Sequence, residues 1–339
     1  MTLARVGTWG GAVACGVLAV ACAAEPVEKA GEGQRITGPF THGNLSVFLI
    51  HGGGPASGRS LITLQEAMAQ KKVVVHETGQ VNELAVENLS AEADVYIQSG
   101  DIVKGGRQDR MISQDFIVPA RSGKVPIASF CVEQGRWSRR GNEAAHAFAA
   151  SSDQVAGKGL KMAARREASQ GRVWQEVSTA QGKLARNLGS PVAAQESASS
   201  LQLTLENKRV TEGVDAYVRA LSEHGTAAGD AVGCAFAVNG KLSGAEVYAS
   251  RELFARLWPK LLKAAAVEAI SEQGAGPSKP PARADVGQWM AEADGARSEE
   301  KTLSPRVKLR TKEASTNVVF ETLDAEKKDG VLHKSYVAK

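Results

Sequence analysis

Short apolar runs separated by glycine, proline and polar residues mark the first part of the chain. The runs are rich in β-branched and aromatic side chains, which favours β-strands. They lie at residues 47–50, 72–77, 80–88, 94–98, 102–103, 116–118 and 125–132. Between them, residues 61–70 show the spacing of a helix, with Leu61, Leu64 and Met68 on one face. Because this leaves little room for crossover helices, the pattern predicts an antiparallel β-sandwich or open barrel, jelly-roll-like in its spacing.

The pattern changes after residue 140. Residues 142–190 are rich in Ala, Gln, Lys and Arg and predict two helices, and residues 211–223 predict an amphipathic helix. Asn239 and Gly240, the preferred pair for a tight turn, lie between two apolar runs and predict a β-hairpin over residues 233–248. A helix is predicted over residues 253–270, and Pro259 is expected to kink or divide it. The predicted fold class is α+β, with a mainly helical second half that carries one β-hairpin.

The length of 339 residues suits one large or two modest domains. We expect a β-rich domain over residues 35–140 and a helical segment over residues 141–275 that packs on it as one unit. Residues 276–339 begin with a Gly- and Pro-rich linker and continue with short strand-like runs. A loosely ordered C-terminal extension is therefore expected, from which a late strand can return to the main sheet.

The first 22 residues have the pattern of a secretory leader. Arg5 supplies the positive end, and the apolar stretch over residues 10–24 is too short to span a membrane. Residues 19–22 (AVAC) resemble a bacterial lipoprotein signal, in which Cys22 would carry the lipid, and residues 23–34 would form a flexible spacer. The alternative is ordinary cleavage after Ala21 or Ala24. Either way we expect export to the bacterial cell envelope, lipid-anchored through Cys22 or otherwise periplasmic or extracellular.

Charge and cysteine content narrow the classes of function. A net charge of +4 is too slight to indicate binding to nucleic acid or to an anionic membrane surface, so contact with a membrane is expected only through the lipid anchor. Cys131 and Cys234 both lie in strand-like runs, and the sequence is equally consistent with a disulfide between them and with two buried free thiols. The six histidines show no metal spacing, and no metal site is predicted.

A glycine-rich loop over residues 53–60 (GGPASGRS) lies between a predicted strand and a predicted helix. It matches a phosphate-binding P-loop except that Arg59 replaces the lysine, and Arg is not an easy substitute. Since no Walker-B-like strand follows, a plain flexible loop is the favoured interpretation. The motifs of serine hydrolases, zinc proteases and dinucleotide-binding folds are also missing.

The densest mixture of strand, glycine and charge lies at residues 100–137. Gly105 and Gly106 allow a tight hairpin tip, and charged residues surround it on both sides. Carboxylates can act as acids or bases, arginines hold phosphate or carboxylate groups, and tryptophan can stack on a ring. The candidate catalytic residues are Asp101, Asp109 and Glu133, and the candidate ligand-binding residues are Lys104, Arg107, Gln108, Arg110, Asp115, Arg136 and Trp137. The same inventory equally suits an internal salt-bridge network without any ligand.

Two long runs carry a family resemblance. Residues 81–137, which include GGRQDR and FCVEQGRW, resemble the ARG and rhodanese-phosphatase-superfamily-associated protein family. Residues 233–270 are similar to the second half of that family, so the resemblance covers roughly residues 35–275. It implies a link to ADP-ribose and NAD-related metabolism, with no settled reaction and no defined cofactor.

Two hypotheses of function follow. In the first, an exported or lipid-anchored domain binds or processes an ADP-ribose or nucleotide-sugar-like ligand at the charged hairpin. In the second, the chain is a non-enzymatic structural or protein-interaction module of the envelope, which the leader favours because ADP-ribose and NAD are mainly intracellular. A ligand site requires the side chains of Asp101, Arg107, Asp109 and Arg136 to converge on an accessible concavity. The alternative requires the same charges to satisfy one another.

Overall fold

A computed structural model describes residues 1–2, 29–30, 34–52, 61–154, 157–274, 276, 278–328 and 330–339. The predicted leader, the proposed lipidation site at Cys22, most of the spacer and the glycine-rich loop over residues 53–60 lie outside the described residues. Within the described part of the chain, no helix has both the length and the apolar character needed to cross a membrane.

The first half of the chain is made almost wholly of strands. Its elements are β1 (Lys29–Ala30), β2 (Gln34–His42), β3 (Leu45–His51), β4 (Leu61–Thr63), α1 (Leu64–Ala69), β5 (Val73–Glu77), β6 (Glu83–Asn88), β7 (Asp94–Ile97), β8 (Asp101–Gly105), β9 (Arg110–Ile112), β10 (Phe116–Val118), β11 (Lys124–Cys131) and β12 (Phe148–Gln154).

The second half mixes helices and strands. Its elements are α2 (Lys158–Arg165), α3 (Gln170–Leu188), α4 (Leu201–Leu205), α5 (Lys208–Ala227), β13 (Ala231–Val238), β14 (Lys241–Tyr248), α6 (Arg251–Ser271), α7 (Arg283–Asp294), β15 (Ser298–Thr302), β16 (Val307–Glu313), β17 (Asn317–Asp324), a 3₁₀ turn (Ala325–Lys327) and β18 (Gly330–Ala338).

Six strands of the first half form a nearly closed antiparallel barrel. Their order is β12-β8-β9-β11-β6-β5, and the two edges approach each other where His76 bridges Ala147. The Glu77 amide also donates to the His146 carbonyl oxygen at 3.1 Å. Buried aliphatic side chains fill the interior, as the alternating pattern requires. The prediction of a β-rich N-terminal part with antiparallel sheets is confirmed.

The largest sheet has nine strands in the order β1-β2-β3-β13-β14-β18-β17-β16-β15. Six of these strands come from the second half of the chain, so the expectation of a mainly helical second half is not confirmed. One cause is burial. Every residue of β17 is buried, so the run NVVFETLD shows no simple alternation. The strand-like runs within residues 276–339 form β16, β17 and β18, and β18 returns to the main sheet by pairing with β14.

The β13–β14 hairpin and α6 follow their predictions more closely. Asn239 and Gly240 both have positive φ angles, of 51° and 72°, at the predicted turn. The Ser250 side chain accepts a hydrogen bond from the Leu253 amide and caps α6. The helix runs continuously from Arg251 to Ser271, so the expected division at Pro259 does not occur. Cys131 and Cys234 are free and buried, which removes the disulfide alternative.

Three buried ion pairs connect the first half of the chain to the second. Lys260 of α6 donates to Asp101 at the start of β8. Arg306 donates to Asp94 of β7 at 3.0 Å, and it also pairs with Asp324 of β17. The third pair joins His333 of β18 to Asp115, which lies between β9 and β10, at 2.6 Å. Each pair brings together residues more than a hundred positions apart in the sequence, so these pairs fix how the two halves of the chain meet.

Candidate functional site

The predicted hairpin tip forms between β8 and β9 and depends on two glycines. Gly105 and Gly106 have φ angles of 117° and 55°, a region that other residues rarely adopt. A Cβ atom on Gly106 would also lie only 2.4 Å from Cζ of Phe148. The tight turn places Asp109 beneath the backbone, where its Oδ1 accepts a hydrogen bond from the Gly105 amide at 2.9 Å.

Two acids and two arginines lie together beside the turn between β8 and β9, and we call Asp109, Glu133, Arg136 and Arg140 the arginine clamp. Arg140 donates to both oxygens of Asp109 at 3.0 Å. Arg136 donates to both oxygens of Glu133 at 2.7 Å. Arg140 Nη1 also lies 3.3 Å from Glu133 Oε1 and links the two pairs. Such paired guanidinium–carboxylate contacts are the strong form of the charged hydrogen bond.

The arginine clamp is balanced in charge and is mostly closed to solvent. Both carboxylates are fully buried, and the Ser200 hydroxyl donates to Asp109 at 2.7 Å. Burial acts to raise the pKa of Glu133, but the hydrogen bond from Arg136 lowers it below the ordinary value. Burial acts to lower the pKa of Arg140, and its bonds to Asp109 raise it instead. The four side chains of the arginine clamp therefore satisfy one another.

The remaining predicted site residues fall into separate places. Asp101 pairs with Lys260, and Lys104 pairs with Glu206 on the surface at 2.6 Å. Gln108 is buried. Arg107 lies at the surface, where its guanidinium is 5.4 Å from the ring centre of the exposed Trp137. The structure thus brings Asp109, Glu133 and Arg136 together but does not gather the whole predicted set around one concavity.

Arg110 is the buried cation of the barrel end. Its Nη2 lies 3.4 Å from Glu77 Oε1, and its Nη1 donates to Cys131 Sγ at 2.7 Å. Burial raises the pKa of Cys131 to about 11, although the Arg110 charge acts in the opposite direction. A thiol with a raised pKa is a poor nucleophile, so Cys131 is a packing residue.

Asp115 belongs to a second buried cluster that sequence reasoning missed. His333 is fully buried between two carboxylates, with Nδ1 2.6 Å from Asp115 Oδ2 and Nε2 2.8 Å from Glu246 Oε2. Both ring nitrogens face acceptors, which favours the doubly protonated imidazolium. Burial alone would lower the pKa of His333, but Asp115 and Glu246 raise it to about 8. Burial acts to raise the pKa of Asp115, and His333 lowers it well below the ordinary value.

A cavity of about 700 Å³ lies between α2, α3, α6 and the β13–β14 hairpin. Its apolar wall includes Leu160, Leu184, Leu242 and Val267, and charged side chains surround the wall. The residues that line it include none of the candidates predicted from the sequence. No sequence motif indicates these residues, because they come from seven elements spread over residues 157–339.

A second, narrow pocket of about 20 Å³ adjoins this cavity. The two share Gly157, Val238, Ser243 and Glu268 in their linings, and Lys161 and Glu246 are among the residues that line the narrow pocket. Lys161 Nζ lies 3.3 Å from Glu246 Oε1. The cavity is therefore connected through Lys161 and Glu246 to the cluster around His333.

No group of three or more His, Cys, Asp or Glu side chains within the described ranges has an arrangement that could hold a metal ion.

One family model matches the chain. It is described as the ARG and Rhodanese-Phosphatase-superfamily-associated Protein domain, and it matches residues 33–337. The match extends beyond the two runs that carry the sequence resemblance and includes the C-terminal strands β15 to β18. No curated protein and no solved structure matches the chain.

We expect Arg140→Met to destabilise the protein strongly. The change removes a buried guanidinium that neutralises Asp109 and Glu133, and breaking a buried pair from one side costs about 3–5 kcal/mol. The adjacent Arg139 is exposed and provides the control, Arg139→Met, with an effect within about 0.5 kcal/mol. Urea denaturation measures both. Equal, small losses for the two variants would show that the arginine clamp does not stabilise the barrel.

The stability of the protein is expected to fall as the pH rises from about 6.5 to about 8. The pKa of His333 is raised from 6.5 to about 8 in the folded protein, so its contribution is complete below pH 6.5 and is lost as the pH passes through the folded value. A shift of this size corresponds to about 2 kcal/mol.

Denaturation midpoints at pH 6 and pH 9 measure this change. In His333→Gln the corresponding part of the pH dependence should vanish. His76→Gln is the control because His76 also pairs with a carboxylate, Glu87, but is partly exposed. A pH dependence that is unchanged in His333→Gln would contradict the assignment.

Proposed function

We propose that this chain, which belongs to the ARG and Rhodanese-Phosphatase-superfamily-associated Protein family over residues 33–337, binds a small anionic ligand of the nucleotide-sugar class. The ligand occupies the cavity between α2, α3, α6 and the β13–β14 hairpin. The observation that carries this proposal is the cavity itself, whose volume of about 700 Å³ lies within the range of small-molecule sites, about 300–1,000 Å³.

The charges at the cavity favour an anionic group on the ligand. Arg172 is paired with Glu176, and Lys183 is paired with Glu272. Lys158 and Lys241 also line the cavity, are exposed, and have no ion-pair partner in the part of the chain that the structure describes. Two uncompensated lysines can hold a phosphate as point charges.

The rest of the lining suits the other parts of such a ligand. The apolar wall formed by the partly exposed Leu242 and by Val267 can receive a flat ring. Glu268 accepts the Ser243 hydroxyl and has no cation partner within the described ranges, so it is available to accept hydrogen bonds from sugar hydroxyls. A ring, a sugar and a phosphate together define the nucleotide-sugar class.

The charged hairpin supports the structural alternative for residues 100–140. Asp109 and Glu133 are buried against Arg136 and Arg140, and a ligand would have to displace a satisfied guanidinium to reach them. We therefore assign the proposed ligand to the cavity and a stabilising role to the arginine clamp.

A second candidate function is binding of a protein partner at the exposed Trp137. Its side chain is 43% exposed, and the Arg107 guanidinium lies 5.4 Å from its ring centre. Tryptophan and arginine are enriched at the centres of protein interfaces. The surface formed by Trp137 and Arg107 is the observation that supports the alternative hypothesis, a protein-interaction module of the envelope.

Export and lipid attachment at Cys22 stay part of the proposal, supported by the leader-like pattern over residues 1–22. Growth of expressing bacteria with a labelled fatty acid should label the wild-type protein and leave Cys22→Ser unlabelled. Equal labelling of the two proteins, or labelling of neither, would contradict lipid attachment at Cys22.

A thermal-shift screen tests the cavity. The panel is ADP-ribose, NAD, ribose 5-phosphate and inorganic phosphate, and a ligand at about 100 times its dissociation constant should add about 2.7 kcal/mol to the folded state. The double variant Lys158→Ala/Lys241→Ala should lose most of the shift while melting like the wild type without ligand.

Arg107→Ala is the matched control because Arg107 is a surface cation far from the cavity lining. We expect it to keep the full shift. If only Arg107→Ala lost the ligand-induced thermal shift, the ligand would bind at the charged hairpin and not in the cavity. No shift with any member of the panel would favour the partner-binding function.

A further inference from the structure

A continuous chain of charged groups leads from the narrow pocket into the interior. Lys161 Nζ lies 3.3 Å from one oxygen of Glu246, whose other oxygen lies 2.8 Å from His333 Nε2. On its far side, His333 Nδ1 lies 2.6 Å from Asp115. The charges alternate in sign from Lys161 to Asp115, so a change at the pocket end alters the field at His333 through one intervening carboxylate.

The side chains at the two ends of this row of charged groups, Asp115 and Lys161, differ in how freely they can move. Glu246, His333 and Asp115 are almost fully buried, and Tyr248 stacks on the imidazole with ring centres 4.4 Å apart. Asp115 is also fixed by the Thr322 hydroxyl at 2.6 Å. The Lys161 side chain is 25% exposed and ends in a flexible ammonium group. Lys161 is therefore the member of the chain that can change partner.

Other titratable groups face His333 from every element packed around it, and most of them keep one charge state near neutral pH. Burial raises the pKa of the phenols and the thiol well above their ordinary values, so these groups stay neutral. The neighbours are Tyr96 of β7, Asp115 between β9 and β10, Lys161 and Arg165 of α2, Cys234 of β13, and Glu246 and Tyr248 of β14. His333 is the group in this cluster whose proton occupancy changes near pH 8.

We propose that binding of an anionic ligand in the cavity draws Lys161 away from Glu246 and is coupled to uptake of a proton by His333. The proposal rests on the cavity being the ligand site. The proton comes from solvent and binds the imidazole between Glu246 and Asp115. The physical reason is electrostatic, because a cation near Glu246 opposes the imidazolium and its departure, or neutralisation by the ligand, favours the charged ring. By linkage, the ligand then binds more weakly above the pKa of His333, by at most about tenfold per pH unit.

The coupling is testable without any ligand. Lys161→Gln removes the ammonium group, and the pKa of His333 measured by NMR of ¹⁵N-labelled imidazoles should rise. Lys208→Gln is the control, since Lys208 is an exposed lysine that lies 3.8 Å from Glu212 on α5. An unmoved His333 titration in Lys161→Gln would overturn the inference whatever the ligand.

Calorimetry with ADP-ribose measures the proton itself. Heats of binding in buffers of different ionisation enthalpy should show an uptake of up to about half a proton per ligand at pH 8 and close to none at pH 6. The uptake should disappear in Lys161→Gln and His333→Gln and persist in His76→Gln. Binding without uptake, or uptake that His333→Gln retains, would overturn the coupling. Failure of ADP-ribose to bind at all would count against the proposed function, and the titration of Lys161→Gln would still decide the coupling.

Discussion

The fold depends on the rule that a buried charge must have a partner. Asp101, Asp94 and Asp115 lie in the barrel half, and their partners Lys260, Arg306 and His333 lie in the second half. An apolar interface tolerates small shifts, but an unpaired buried charge is very unfavourable. The three pairs therefore define one relative placement of the two halves of the chain. Packing of the cores then stabilises the placement that the charges specify.

Sequence reasoning found the elements whose signals are local. The Asn239-Gly240 turn, the Ser250 cap and the apolar stripe of α6 each lie within a few residues of the structure they produce. It marked strand-like runs within residues 276–339 and a late strand that returns to the main sheet, but not the extent of the sheet that these strands complete. β18 joins the sheet by pairing with β14, and the edge of β14 is available only after the chain has folded back.

The candidate site, too, was predicted from the sequence only where its signals are local. The acids and arginines of residues 100–137 were recognised as suiting an internal salt-bridge network as well as a ligand site, and the arginine clamp is such a network. Which oxygen each guanidinium binds depends on the turn at Gly105 and on Arg140, just beyond the tract. One available signal was Lys260, a lysine within the apolar stripe of α6, where a charge implies a buried partner. Nothing local connected His333 with Asp115, because 218 positions separate them.

The outer edge of the nine-stranded sheet has a consequence for how copies of the protein meet. The last strand, β15, is fully exposed along its length and reads Ser-Glu-Glu-Lys-Thr. An open strand edge is a template for pairing with another chain, and charged side chains along it discourage such pairing. A second copy that paired with this edge antiparallel and in full register would place Glu300 directly against its own Glu300. The edge of the sheet thus resists growth into aggregates, and it does so with side chains that make almost no contribution to the core.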